Sequence, residues 1–387
     1  MSKLDDLIQK YCPNGVEYLP VGDYLSYEQP TKYLVASTKY DDSFPTPVLT
    51  AGQSFILGYT KETNGIFEAS KANPVIIFDD FTTSFHWVEF SFKVKSSAMK
   101  MLRPTDESKA LFRYLYYCMK NIRYVPGDHT RQWIGTYSQI EIPVPPLPVQ
   151  EEIVRILDNF TELQAELQAE LQKRKQQYEY YRDNLLCFNE LNRGGQNKVE
   201  WKKLGEIGKV NMCKRIMKDQ TSSSGDIPFF KIGTFGGIAD AYISQELFDT
   251  YKSKYSYPQK GDILISAAGT IGRTVVFDGK PAYFQDSNIV WLKHNESVVL
   301  NSYLRYIYSL NPWAVSTGGT IARLYNDNIL NAVIPVPSLA EQQRIVDILD
   351  RFDSLTNDLT QGLPAEIEKR KQQYEYYRDK LLTFKRL

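Results

Sequence analysis

An α/β fold, organised as a pseudo-twofold tandem duplication of two α/β domains joined by two long helices that form an antiparallel coiled coil, is what three observations predict. First, KRKQQYEYYRD at Lys173–Asp183 recurs letter for letter at Lys369–Asp379, and the 16-residue windows 173–188 and 369–384 share 14 identities. Second, residues 143–160 align with 335–352 at 11 of 18 positions, in a register of 192 instead of 196. Third, VEYLPVGDY at Val16–Tyr24 echoes VEWKKLGEI at Val199–Ile207, so the repeat runs from the start of a domain to the end of a helix. A period near 190 residues is too long for a solenoid and long enough for a domain with its own core. The sequence therefore divides into domain 1 (1–140), helix 1 (141–190), domain 2 (191–335) and helix 2 (336–387).

Domain 1 mixes β-rich runs, Pro74–Phe78 and Trp87–Val94, with a helical stretch over Ser108–Asn121. These are the marks of a compact α/β domain. Helix 1 follows Pro143–Pro148, prolines that are expected to stay outside it. Apolar residues then fall at Ile153, Leu157, Phe160, Leu163, Leu167, Leu171, Tyr178, Tyr181, Leu185 and Phe188, steps of three, four and seven that place them on one helical stripe. A rod of roughly 40 residues spans on the order of 60 Å and needs a partner for that stripe. Its middle reads TELQ-AELQ-AELQ over Thr161–Gln172, a module of strong helix formers. Adding one tetrapeptide lengthens the helix by ~6 Å and turns it by ~40°, while one base pair advances DNA by ~3.4 Å, so the repeat number is suited to setting a spacing along DNA.

Domain 2 reads as strands at Asp262–Ser266, Thr274–Phe277 and Ser287–Leu292, with turns at Lys260-Gly261 and Asp278-Gly279 and a helix at Ser302–Ser309. The two domains share a position in the repeat but little sequence. Helix 2 carries an equivalent stripe (Ile345, Leu349, Phe352, Leu355, Leu359, Ile367, Tyr374, Tyr377, Leu381, Phe384), so the two rods are expected to pair. Gln361-Gly362-Leu363-Pro364 interrupts it, and a kink or break is expected there.

Composition narrows the class. At 42% hydrophobic and 24% charged, with no apolar run long enough to span a bilayer and no signal peptide, a soluble cytoplasmic protein with no membrane partner is expected. Four cysteines (Cys12, Cys118, Cys187, Cys213) without CxxC spacing, and three histidines, support neither a disulfide framework nor a zinc site, and buried thiols are expected. Net charge is zero, yet Ser91–Trp133 holds nine Lys/Arg against three acids, whereas 141–197 holds six against ten. Positive charge collects in the domains, which suits anion binding there.

Signs of catalysis are sparse. Gly269–Thr274 (GTIGRT) lacks the leading glycine and the lysine of a phosphate loop, and reads as a strand-linking turn. Asp79 or Asp80 with Glu107-Ser108-Lys109 makes only a loose nuclease-like set, with Glu107 expected at a helix start. There is no glycine-rich methyl-donor loop and no Asn-Pro-Pro-aromatic tetrapeptide.

With Ile142-Pro143-Val144-Pro145 and Ile334-Pro335-Val336-Pro337 leading each helix, the tetrapeptide repeat, both YEYYRD blocks, and the stretches Thr46–Gly52 and Gly261–Gly272, the chain resembles, over essentially its whole length, the specificity subunit of type I restriction-modification systems. The resemblance implies two target recognition domains, each reading one half of a bipartite site in double-stranded DNA, with the helices setting the spacing and docking two methyltransferase subunits. It also implies restriction and translocation subunits as further partners. The chain itself is then expected to be non-catalytic and to hold no metal and no cofactor, with S-adenosylmethionine, ATP and Mg in the partner subunits. Tyr178, Tyr181, Arg182 and Asp183, with Tyr374, Tyr377, Arg378 and Asp379, match the helical blocks that face partner helices and each other. For DNA contact the residue types point to Lys93, Lys95 and Arg131 in domain 1 and to Lys231, Arg273, Gln285, Asn288 and Arg323 in domain 2, since Arg, Gln and Asn make bidentate base contacts and Lys suits phosphate. The alternatives are a stand-alone bipartite DNA-binding scaffold or regulator without a methyltransferase, a catalytic nuclease or methyltransferase, and a plain coiled-coil tether without DNA affinity.

Overall fold

The computed structural model describes residues 2–52, 54–188, 199–314, 323–358 and 360–387. It forms two compact units, Met1–Gln168 with Glu366–Leu387, and Ala169–Ala365.

In the first unit α1 (Lys3–Tyr11) starts at a reciprocal cap between Ser2 and Asp5. β1 (Tyr18–Pro20) pairs antiparallel with β9 (Glu141–Pro143), so a boundary drawn at 140 falls beside a strand pair that closes the domain. Between them, β2 (Leu25–Glu28), β5 (Val75–Asp79), β6 (Phe85–Val88) and β8 (Met99–Pro104) form an antiparallel sheet in the order β2-β8-β5-β6. Its central strand β5 (VIIFD) is apolar on both faces, and Val75–Phe78 are all fully buried. A smaller sheet runs β4-β3-β7, with β3 (Thr46–Leu49) antiparallel to β4 (Ile56–Thr60) and parallel to β7 (Lys93–Val94). The β-rich run Trp87–Val94 therefore supplies two strand ends in two sheets. α2 (Phe112–Asn121) buries Tyr114, Leu115 and Cys118.

α3 (Leu147–Leu186) is a single helix of 40 residues. It takes in Pro148, expected outside, because a first-turn residue needs no intrahelical N–H bond. Within the first unit its opening turns pack antiparallel to α9 (Leu363–Leu381): Val149, Ile153 and Leu157 share a core with Tyr374, Leu381 and Leu382, and Phe160 stacks on Tyr377 at 5.5 Å.

The second unit repeats this plan. β10 (Glu200–Lys203) pairs with β18 (Val333–Val336). β11 (Lys209–Met212), β14 (Ile263–Ser266), β15 (Thr274–Val276) and β17 (Ile289–Lys293) follow the order β11-β17-β14-β15. β12 (Ile227–Phe230) lies antiparallel to β13 (Tyr242–Ile243) and parallel to β16 (Tyr283–Phe284). α4 (Leu204–Ile207), α5 (Gln245–Lys254), α6 (Asn301–Ser309) and α7 (Asn326–Leu330) complete the domain. Here the end of α3 packs on α8 (Leu339–Asn357), with Leu186 against the core of Ile345, Val346 and Leu349, and Tyr181 stacked on Phe352 at 5.4 Å. The sheets of the two units thus have one topology although their sequences differ.

The expected interruption of the second rod is present. α8 ends at Asn357, and the Asp358 carboxylate accepts from the amides of Thr360 and Gln361. A Cβ on Gly362 would lie 2.5 Å from the Ser354 carbonyl oxygen, so only glycine fits. Pro364 then sits in the first turn of α9. Leu359 and the boundary at 190/191 lie outside the described residues.

Each helix start is tied to its domain in the same way. The Gln150 amide donates to the carbonyls of Pro145 (2.7 Å) and Lys109 (3.3 Å) and accepts from the Leu111 N–H at 2.9 Å. Gln342 donates to Pro337 (2.8 Å) and Val298 (2.9 Å) and accepts from Leu300 at 2.9 Å. Both glutamines are fully buried. Tyr114 and Tyr303 donate to the Pro143 and Pro335 carbonyls, and Tyr117 and Tyr306 donate to Asp158 and Asp350, each at 2.5 Å.

Candidate nucleic-acid interface

In domain 2 the segment leaving β16 runs beside the end of β12 and lines an open concavity of about 620 Å³. Four of the sequence-predicted residues meet there: Lys231, Gln285, Asn288 and Arg323. Arg215 and Lys218 join them. The concavity is cationic, and its side chains are fixed from behind. The Ile232 N–H donates to Gln285 Oε1 at 2.9 Å, Arg323 donates to the Ser287 carbonyl at 2.8 Å, and Arg215 pairs with Asp286 at 2.9 Å. Lys231 pairs with the exposed Asp240 at 2.9 Å. Ser287 takes the left-handed conformation (φ 61°), the bend that brings Asn288 N–H back to the Asp286 carbonyl.

Domain 1 holds the matching backbone. Lys95 N–H bonds the Leu49 carbonyl as Gln285 N–H bonds that of Phe230; Asp80 N–H bonds Ala98 as Ala267 N–H bonds Asn288; and Gln132 N–H bonds Asp80 as Leu324 N–H bonds Ala267. Lys95 therefore stands where Gln285 stands, and Arg131 where Arg323 stands. Both Lys95 and Arg131 are exposed. Two of the predicted cations in domain 1 thus occupy positions equivalent to two predicted readers in domain 2.

Two expected contacts are placed differently. Lys93 is 3% exposed, and its ammonium pairs with Glu62 at 3.1 Å and donates to the Asn64 carbonyl at 2.6 Å. It is an interior strut, not a phosphate contact. Arg273 is exposed but lies outside the concavity, donating to the Gly236 carbonyl at 3.3 Å. Beneath Arg131 a second buried pair was not foreseen: Asp80 and Lys100, each 1% exposed, meet at 3.1 Å. Asp80 also accepts from the Trp133 N–H at 2.8 Å, and Arg131 approaches it at 3.8 Å. In domain 2 the register-equivalent residues are Ala267 and Val290.

The loose catalytic set is engaged separately. Asp79 accepts from the amides of Phe81 and Thr82 in a turn, Asp80 is held by Lys100, and Glu107 accepts from Phe112 N–H at the start of α2. Gly269–Arg273 lies in the turn between β14 and β15, and Thr274 opens β15. Among the described residues no group of His, Cys, Asp and Glu is arranged to hold a metal. Three cysteines are buried, and burial pushes the Cys118 and Cys213 thiols up to about 12; Cys187, also expected inside, is exposed.

The helical blocks are engaged within the chain. Tyr178 and Tyr374 pack on the two cores, and burial raises both phenols. Tyr181 and Tyr377 make the two stacks already described. Arg182 pairs with Asp183 at 2.8 Å and Arg378 with Asp379 at 2.7 Å. Burial works against the Asp379 carboxylate, but hydrogen bonds from Arg378 and Arg123 hold it below the usual range. The most exposed aromatics of the two blocks are Tyr180 (66% exposed) and Tyr376 (62%), which the stripe pattern passes over. The signal was available, since both stand off the apolar stripe in identical blocks. Arg215 and Lys218 carried no signal beyond local charge.

Two α/β domains of one topology, with exposed cations at equivalent positions and each continued by a paired helix, define a duplicated nucleic-acid specificity architecture. The chain belongs to the type I restriction modification DNA specificity domain family, whose model matches it twice, at residues 4–174 and 197–369. It is 44% identical over 399 residues to an Escherichia coli type I restriction enzyme specificity subunit, covering 95% of this chain and 94% of that one. It is 48% identical over 344 residues to a Haemophilus influenzae chain provisionally named a type I restriction enzyme specificity subunit, covering 86% of each. Among solved structures, the type I restriction-modification S subunit of M. genitalium matches with a TM-score of 0.57 at 14% identity, covering 96% of this chain and 97% of that one. A chain from a structure of type I complex assembly matches at 0.56 and 17%, covering 96% and 98%. These structures share the fold.

Proposed function

We propose that this specificity subunit divides its DNA recognition between its two domains, each reading one half of a bipartite site, while the helices set the spacing and dock two methyltransferase subunits. The observation that carries the reading is the pair of equivalent surfaces: one backbone arrangement presents Lys95 and Arg131 in domain 1, and Gln285 and Arg323 in domain 2. A fixed frame with changed side chains is what reading two different sequences requires. Lysines and arginines around each face supply phosphate contacts and a salt-dependent affinity.

The chain takes no catalytic part in this reading. Methyl transfer and DNA translocation belong to partner subunits, which hold S-adenosylmethionine, ATP and Mg; restriction subunits join the same assembly in the cytoplasm. No helix among the described residues is long and apolar enough to cross a membrane. Tyr180 and Tyr376, identical in setting and turned outward, are the aromatic anchors offered to two copies of one partner.

Single-molecule sequencing of modified adenines, in cells with the gene intact and deleted, tests this. A split motif that vanishes on deletion is expected, and it names both half-sites and their spacing. If no motif changes in a strain expressing the chain with its methyltransferase, the chain acts as a stand-alone scaffold or regulator.

A further inference from the structure

Resting on the reading of domain 2 as a reader of base edges, we propose that Gln285 is a specificity-determining residue of fixed orientation: with its oxygen turned to Ile232 it presents its NH₂ to DNA and selects a base that offers an acceptor. A free glutamine presents both an oxygen and an NH₂, and so pairs bidentately with adenine. Gln285 is not free. Its Oε1 accepts the Ile232 N–H at 2.9 Å, and because that partner can only donate, the orientation of the amide is settled. Its own backbone is held at both ends, its N–H on the Phe230 carbonyl and its carbonyl by Ile289 N–H. What remains to face the concavity is Nε2, which has no partner among the described residues.

The neighbours point the same way. Arg215, Lys218, Lys231 and Arg323 line the concavity and are donors. Asp286, the one carboxylate among the described lining residues, is paired with Arg215. The charged donors of this lining select an acceptor in the major groove, guanine N7 and O6, adenine N7 or thymine O4, and reject the cytosine N4 amino group. In domain 1 the equivalent position is Lys95, also a donor, on a longer and unbraced stem. The braced amide restricts one base pair, whereas the flexible ammonium restricts its own more weakly.

The test uses the full chain in complex with its methyltransferase, and a library of duplexes in which each pair of both half-sites is varied one at a time. Gln285→Glu keeps an oxygen for Ile232 N–H and turns Nε2 into an acceptor of the same size. It is expected to move the preference at one pair from a base contacted at an acceptor (guanine, thymine or adenine N7) towards cytosine, with a loss of about ten-fold or more on the native site. Gln285→Ala is expected to relax the same pair. Lys95→Ala is expected to act in the other half-site, which assigns the halves to the domains. Unchanged preferences in both Gln285 variants overturn the proposal, as does an equal fall in affinity for every sequence. If no pair of either half-site is discriminated by the unmodified complex, the reading of the domains as sequence readers fails instead.

Discussion

Lys100→Met isolates the buried ion pair under Arg131. With Asp80 and Lys100 each 1% exposed and 3.1 Å apart, removing the ammonium leaves a carboxylate in the interior whose nearest cation is Arg131 at 3.8 Å. Stranding one partner of such a pair costs about 3–5 kcal/mol. The methionine replaces most of the stem volume, so the cavity contribution is small. The contact of the Lys100 ammonium with the Tyr27 ring, at 4.4 Å, contributes roughly 1 kcal/mol more. Asp80→Asn added to Lys100→Met removes the stranded charge, keeps an oxygen for the Trp133 N–H and leaves the neutral amide NH₂ unpaired, a cost of about 1–3 kcal/mol. The double variant is therefore expected to be more stable than Lys100→Met by roughly 2 kcal/mol.

Domain 2 supports that sign, since Ala267 and Val290 occupy the same positions and the sheet still forms. Hydrogen exchange of the amides in Val75–Asp79 and Met99–Leu102, followed in increasing urea, measures the opening of that sheet directly in the whole chain. A Lys100→Met sheet that opens within 1 kcal/mol of the unmodified one, or a double variant weaker than the single, would refute the reasoning.

Gln150→Leu strands the Leu111 N–H and the Pro145 carbonyl, and should lower the stability of the first unit by about 2–4 kcal/mol in thermal denaturation, with Gln342→Leu doing the same to the second. The Arg155 hydrogen bond, aided by Lys3, holds the Glu152 carboxyl down at about 2 against an ordinary 4.5. A depressed folded-state value stabilises above the ordinary one, so the advantage over Glu152→Gln should be complete above about pH 5 and disappear as pH falls through about 2 in acid unfolding curves. Arg131→Ala and Arg323→Ala should each cost about 1–3 kcal/mol of discrimination in one half-site and leave the other unchanged, as read from methylated-site maps. Lys93→Met should destabilise domain 1 through the stranded Glu62 without changing any base preference.

The helical frame was readable because its constraint is periodic: each apolar stripe recurs at three and four residues, and an exact repeat of 11 letters fixes the copy. The break was readable too, from Gly362 and Pro364. Tertiary partners were not. Lys93 and Lys95 sit two apart on one short run and look alike as letters, yet the first meets Glu62 from a distant loop while the second leaves the sheet edge into solvent. Asp80 and Lys100 are equally ordinary until β5 and β8 bring them together. A buried charge is visible in a sequence only through its partner, and the partner here is set by strand register.

The likeness of the two domains was hidden for a different reason. Glu107, Ser108, Leu111, Tyr114, Leu115 and Tyr117 recur as Glu296, Ser297, Leu300, Tyr303, Leu304 and Tyr306 at a register of 189, between blocks whose registers are 183, 192 and 196. The register changes three times along the chain, the last time inside α3 in the first copy and at the break between α8 and α9 in the second, so a comparison at any single register loses the rest. What survives at 189 is what holds a helix to its domain: Glu107 and Glu296 accept from the first amides of α2 and α6, and Tyr117 and Tyr306 reach Asp158 and Asp350. What has drifted lies at the sheet edge, Lys95 against Gln285 and Ala98 against Asn288, where the backbone bonds are kept and the side chains are not. Constraint on the joints and freedom at the edge is the pattern expected when one scaffold must hold still while its two faces read different DNA.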